Sequence, residues 1–302
     1  MIWAFSTTIL FAISAVSAGK TTRVLGGIEA NFWRILIATL FLGGYATTLG
    51  QSFAGNGLPL FFVSGVLGFG FGDIALYLAF PLLGSRLSIL LVHCLAVPFA
   101  TLVEWLWLGT QLTLPQVASS ALILVGVGIA LAPSEHLHLT RAGLTRGIIY
   151  GVLAAFGQGL GAVFSRKAYF ISSIGGEHID GITAAYQRIW GGVFVALLSI
   201  FILKRMNLII WNQEQVDARH AEWRRLWPWL LLNALAGPGL GVAFYQWALA
   251  TTPTGIVLPI VALTPLVIIP IARIINNERA SQRSIMGGII AVLGVIGLTL
   301  SK

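Results

Sequence analysis

The feature that most constrains this chain is its succession of continuous apolar stretches, each roughly twenty residues long and joined to the next by a short polar connection. A helix of about twenty residues, rising about 1.5 Å per residue, matches the hydrocarbon thickness of a bilayer. Lipid offers no water to the backbone, so a spanning segment must be a helix or part of a closed barrel. A barrel would show alternating segments of about ten residues; these runs do not alternate. Composition agrees: 57% of the 302 residues are hydrophobic and 9% are charged, against about 25% charged in soluble domains. A soluble domain of this length lacks the polar residues to cover such a core. The class expected is an all-α membrane protein.

Ten spans are predicted, roughly over residues 2–19, 30–49, 58–80, 86–108, 113–132, 146–165, 182–203, 228–250, 254–275 and 284–301. The polar stretch 133–145 divides the chain near its middle. The basic stretch 204–227, with Trp211, Trp223 and Trp227, is either an amphipathic segment lying at the interface or a plain loop. The first span begins almost at Met1 and is too long for a signal-peptide core, so it is expected to be retained. The single cysteine, Cys94, offers neither a disulfide framework nor zinc-ligand spacing. The net charge of +8 sits in short loops between spans, which reads as membrane topology rather than nucleic-acid binding.

An internal repeat gives the organisation. A shift of 167 residues carries Gly70, Gly72 and Pro98 onto Gly237, Gly239 and Pro265, Tyr77 onto Phe244, and Gln111 onto Glu278. Ala15-Val16 and Lys20 answer Ala162-Val163 and Lys167, Gly126-Val127 answers Gly294-Val295, and Arg34 answers Arg188. The order is kept throughout. The predicted units are 1–132 and 146–302, joined by the linker 133–145. Each holds five spans, an odd number, so the second inserts opposite to the first. Two inverted five-helix repeats are an architecture of secondary transporters, with the substrate site at the repeat interface.

With its two glycine-rich third helices (Gly65 to Gly72 and Gly237 to Gly241), the fourth-helix prolines Pro98 and Pro265, and the second-helix arginines Arg34 and Arg188, the chain resembles the drug/metabolite transporter superfamily of the EamA type over nearly its whole length. Family members usually carry a Gly-Glu pair after the fourth helix; here the second unit has Asn277-Glu278, and the first has Gln111 without an acid. The resemblance implies a ten-helix transporter with a central cavity, often an exporter of amino acids or related metabolites, sited in the plasma (inner) membrane. A monomer is compatible with this, and no cofactor or metal is expected. It also implies cytoplasmic termini, whereas the excess of Lys and Arg in the odd-numbered loops places the termini outside.

Ionisable groups in a membrane cost about 2.5–3.5 kcal/mol at a helix centre on insertion scales, which makes them functional candidates. Asp73 is either a proton or cation acceptor, compatible with proton-coupled transport, or an anchor for a substrate amine, or a structural partner for Arg34 or another cation. Arg34 and Arg188 either hold a substrate carboxylate by their guanidinium forks or snorkel and orient their helices, the second role being placed first. Glu104 either forms a relay with His93, three turns earlier on a similar face, or reaches headgroup water beside Trp105 and Trp107, the latter being preferred. With Asp73 and His93, the candidate cavity residues are Tyr77, Gln158, Tyr186, Gln187, Tyr245, Gln246 and Trp247, since aromatic walls with a few placed polar groups suit a small organic ligand. Ordinary helix packing is the alternative for each. Gly70, Gly72, Gly237, Gly239, Pro98 and Pro265 are candidate hinges, or simply close-packing positions.

The chain has no Gly-x-x-x-x-Gly-Lys-Ser/Thr motif for ATP, and no His-Glu-x-x-His or Gly-x-Ser-x-Gly motif for a membrane enzyme. A secondary transporter for a small organic molecule is the leading reading, and a non-transporting membrane sensor or scaffold the alternative.

Overall fold

The computed structural model describes residues 1–131, 141–205, 213–269 and 282–301. Among these residues every regular element is a helix. The helices are α1 (Ile2–Leu25), α2 (Gly27–Thr48), α3 (Leu58–Gly84), α4 (Leu87–Leu108), α5 (Leu114–Leu131), α6 (Arg141–Ile174), α7 (Gly181–Arg205), α8 (Arg225–Thr251), α9 (Thr254–Ile269) and α10 (Gln282–Leu300). Six of them, α1, α3, α4, α6, α7 and α8, are long and apolar enough to cross a membrane; α5, α9 and α10 contain shorter apolar helices. This is a multi-pass membrane protein.

The break between α3 and α4 is made by Gly84, whose φ of 76° lies where side chains are disfavoured. α6 begins at Arg141, inside the expected linker, and helix continues upstream of α8 as far as Gln213, inside the expected basic loop. Trp211, Pro270, Arg273, Asn277, Glu278 and the linker residues 133–140 lie outside the described residues.

Two helices carry a π-helical turn at their glycine runs: Val66–Gly72 in α3 and Leu235–Gly239 in α8. Pro238 removes one backbone donor in the second. Such turns widen the helix locally and often mark functional positions. They contain Gly70, Gly72, Gly237 and Gly239. Pro265 follows a non-helical turn at residues 262–263 in α9, while Pro98 is exposed on α4.

The packing follows membrane logic, in which small residues face inward and bulky apolar ones face lipid. On α1 the buried residues are Thr7, Thr8, Ala12, Ser14, Ala15, Ser17 and Ala18, whereas Ile2 and Ile9 point outward. Thr8 donates to the carbonyl of Ile260, 3.0 Å away on α9. α3 and α7 touch backbone to backbone: a Cβ on Gly65 would stand 1.6 Å from the carbonyl oxygen of Arg188. α4 packs on α6 as α1 packs on α9; α3 packs on α6 as α1 packs on α8; and α3 packs on α7 as α2 packs on α8. α2 meets α7, and α5 meets α10, where Gly126 and Gly287 allow close approach to Ala291 and Ala130.

Candidate functional site

A cavity lies between the two parts of the chain, walled by α1, α2, α3 and α4 from one and by α6, α7, α8 and α9 from the other. The space between its walls is about 800 Å³, counting the part open to the outside. Most of the lining is apolar or aromatic, including Phe11, Phe69, Phe80 and Tyr245.

Two charged clusters face this space. In the first, Arg34 of α2 forms a buried ion pair with Asp73, which begins the helical segment after the π turn of α3. Its Nε donates to Asn31 Oδ1 at 3.0 Å, and its guanidinium lies 4.6 Å from the centre of the Tyr77 ring. The second oxygen of Asp73 accepts from Gln158 Nε2 at 2.6 Å. Tyr77 accepts at its hydroxyl from Asn233 Nδ2 (2.8 Å), and Ser14 donates to Asn233 Oδ1 (2.7 Å). This network ties α1, α2, α3, α6 and α8 together.

The second cluster is Arg188 of α7, only 1% exposed. Its guanidinium stands 4.8 Å from the ring centre of Phe69 and 5.9 Å from that of Tyr245. Its Nε has no hydrogen-bond partner, and no carboxylate lies within ion-pair distance of it among the described residues. The two arginines cross between the parts of the chain. Arg34 Nη1 lies 3.1 Å from where a Cβ on Gly237 would be, and Arg188 Nη2 2.3 Å from where one on Gly68 would be. Each therefore rests on the π turn of the other part, and neither extends toward an interface.

Of the nine candidate cavity residues, Asp73, Tyr77, His93, Gln158 and Tyr245 line the space. The Nδ1 of His93 is 3.1 Å from the carbonyl oxygen of Val261; a carbonyl only accepts, so Nδ1 carries the proton. Tyr186, Gln187, Gln246 and Trp247 lie elsewhere. Tyr186 packs tilted against Phe53 and edge-on against Trp190. Gln187 donates to the carbonyls of Ser52 and Ala54, fastening α7 to the segment after α2. Gln246 donates to Ser165 Oγ, and Trp247 stacks on Trp3.

Glu104 does not reach headgroup water, nor does it line the cavity with His93. It is 2% exposed and pairs with Arg166 Nε at 3.1 Å. Its other oxygen accepts from the backbone N of Thr254 at 2.7 Å and from the Thr254 hydroxyl. Because Thr254 opens α9, the carboxylate satisfies a free donor at that helix start. α4, α6 and α9 are thereby locked together at one end of the bundle. Asn233, Asn31 and Arg166 were not singled out in the sequence. The first two are intramembrane amides, a signal as readable as Gln158; Arg166 looked like a loop residue because α6 runs on to Ile174.

The EamA-like transporter family model matches residues 1–132 and 145–300. The chain belongs to this family. One curated relative, "Probable 4-amino-4-deoxy-L-arabinose-phosphoundecaprenol flippase subunit ArnE" of Pseudomonas paraeruginosa, is 30% identical over 94 residues, covering 31% of this chain and 79% of the relative. Its namesake in Pseudomonas aeruginosa is 28% identical over 95 residues, covering 32% and 80%. A solved crystal structure superposes on 99% of this chain and 98% of its own with a TM-score of 0.72 at 12% identity, which shows a shared fold. Family membership makes the chain a membrane transporter.

Proposed function

We propose that this protein is a secondary transporter of the plasma (inner) membrane that moves a small organic metabolite, an amino acid or related compound, through the central cavity by alternating access, most simply as an exporter. The observation that carries this reading is the crossed pair of arginines. Each comes from the second helix of one five-helix unit and packs on the π turn in the third helix of the other, with the cavity between them. Such an exchange is what two similar units inserted in opposite senses produce. The paired helix contacts support it, since each contact between the units named above has its counterpart when α1–α5 and α6–α10 are exchanged. So does the size of the relative in Pseudomonas paraeruginosa: 94 residues make up 79% of it, so its whole length is about 119 residues, less than half of the 302 here.

In this reading the ten helices all cross the membrane, and the π turns at Gly70, Gly72, Gly237 and Gly239 serve as bending points. The Glu104–Arg166–Thr254 lock closes one end of the bundle. Arg166, paired inside α6, leaves the loop count, which sharpens the excess of basic residues at the other end and puts that end in the cytoplasm. Asp73, held by Arg34 and Gln158, couples transport to protons only if one of these bonds opens during the cycle.

A second reading has its own observation. The Pseudomonas relatives are named as flippase subunits for a lipid-linked sugar, so the cargo is alternatively amphipathic, with its polar head in the cavity. Purified protein in proteoliposomes separates these readings. Uptake of water-soluble metabolites from a broad panel supports the first. Translocation of a lipid-borne head group with no soluble uptake supports the second. Folded protein that moves neither contradicts transport.

A further inference from the structure

The charges that line the cavity do not cancel. Arg34 and Asp73 neutralise each other in a direct ion pair. Arg188 remains, and it is as buried as any core residue. His93 adds no negative charge in either of its forms. The acid nearest in kind, Glu104, is saturated by Arg166 and Thr254 and does not line the cavity. The space therefore holds one guanidinium in excess, among the described residues. The faces of Phe69 and Tyr245 attract it, but rings accept neither a proton nor a fork of hydrogen bonds. A guanidinium presents five donors in one plane, a geometry that matches the two oxygens of a carboxylate or phosphate.

We propose that Arg188 is the anion-binding residue of the cavity and that the cargo is an organic anion, its carboxylate or phosphate held by Arg188 and its body lying against Phe69 and Tyr245. The proposal rests on the transport reading above and deepens it by naming the class of cargo. It also assigns different roles to the two repeat-matched arginines. Arg34 is committed to Asp73 and Asn31, and Arg188 is free for the cargo.

The test compares full-length wild-type protein with Arg188→Gln and Arg188→Lys, each confirmed as folded by gel filtration. The probes share one body: phenylacetate, phenyl phosphate and the neutral phenylacetamide, with lysophosphatidic acid as the lipid-borne phosphate. Binding is read as the concentration-dependent rise in unfolding temperature, since a ligand of the folded state stabilises it by mass action. The expected result is stabilisation by the anions and not by the amide, an anion affinity at least about tenfold weaker in Arg188→Gln, and partial retention in Arg188→Lys, which keeps the charge and loses the fork. Response to lysophosphatidic acid alone identifies a lipid-borne phosphate; response to the soluble anions identifies a free one. Equal stabilisation by amide and anions, no anion response, or an undiminished response in Arg188→Gln overturns the proposal. Proteoliposome flux separates its fate from that of the transport reading. Anion binding lost in Arg188→Gln without any flux keeps the anion site and rejects transport. Flux of neutral compounds that ignores Arg188 does the reverse.

Discussion

Arg34 and Arg188, the matched residues of the two proposed units, live under opposite conditions. Both are buried, both stand over a tyrosine and both rest on a π turn of the other unit. One is surrounded by acceptors, the other by rings. A buried charge is tolerated when it is paired and costly when it is not. The first arginine is thus explained by the fold alone, and the second is not. In the proposed two-unit arrangement, one arginine serves as a brace and the other is left open to the cavity.

Stability measurements can break this contrast. The largest effect is expected for Arg34→Met, which strands Asp73 without its cation and should destabilise by about 3–5 kcal/mol. Reversible unfolding in mixed micelles would measure it, and a loss below about 1 kcal/mol would mean that the Arg34–Asp73 pair is no brace. Next come the two π turns. A methyl at Gly237 meets Ser14 Oγ at 2.5 Å and Arg34 Nη1 at 3.1 Å, both fixed by other bonds, so Gly237→Ala should cost about 1–3 kcal/mol. A methyl at Gly68 meets only the end of Arg188, so Gly68→Ala should cost less. Equal costs in the same assay would show that Arg188 is as firmly held as Arg34. The smallest effect is expected for Arg188→Met, which removes a charge with no ionic partner. Stability should be unchanged or slightly raised, and a loss near that of Arg34→Met would reveal a partner that the structure does not display.

Much of this was readable in the sequence, because membrane folding leaves little choice. The length of the apolar runs prescribes helices, and the ordered matches of Gly70, Gly72 and Arg34 with Gly237, Gly239 and Arg188 point to the two places where α3 and α8 carry π turns. Asp73, Tyr77, His93, Gln158 and Tyr245 could be picked as polar or aromatic groups on apolar helices, and all five line one cavity. Tyr186, Gln187, Gln246 and Trp247 have the same chemistry and face elsewhere. Helix rotation decides this, and it is set by close contacts such as Gly65 against Arg188, which no hydropathy pattern encodes. Glu104 misled for a related reason. Tryptophan neighbours suggested the headgroup region, yet its partner Arg166 comes from a helix that continues past its apolar core, and Thr254 from the start of α9.

Alternating access requires the cavity between the two proposed units to open to each side of the membrane in turn. A single cysteine at Leu258, which lines the cavity on α9, reports this opening in a Cys94→Ser background. Membrane-impermeant thiol reagent is applied to one face or the other of sealed vesicles, with and without transported cargo. The expected result is labelling from both faces, with cargo changing the ratio between them. Labelling from one face alone under every condition, or from neither, would contradict it.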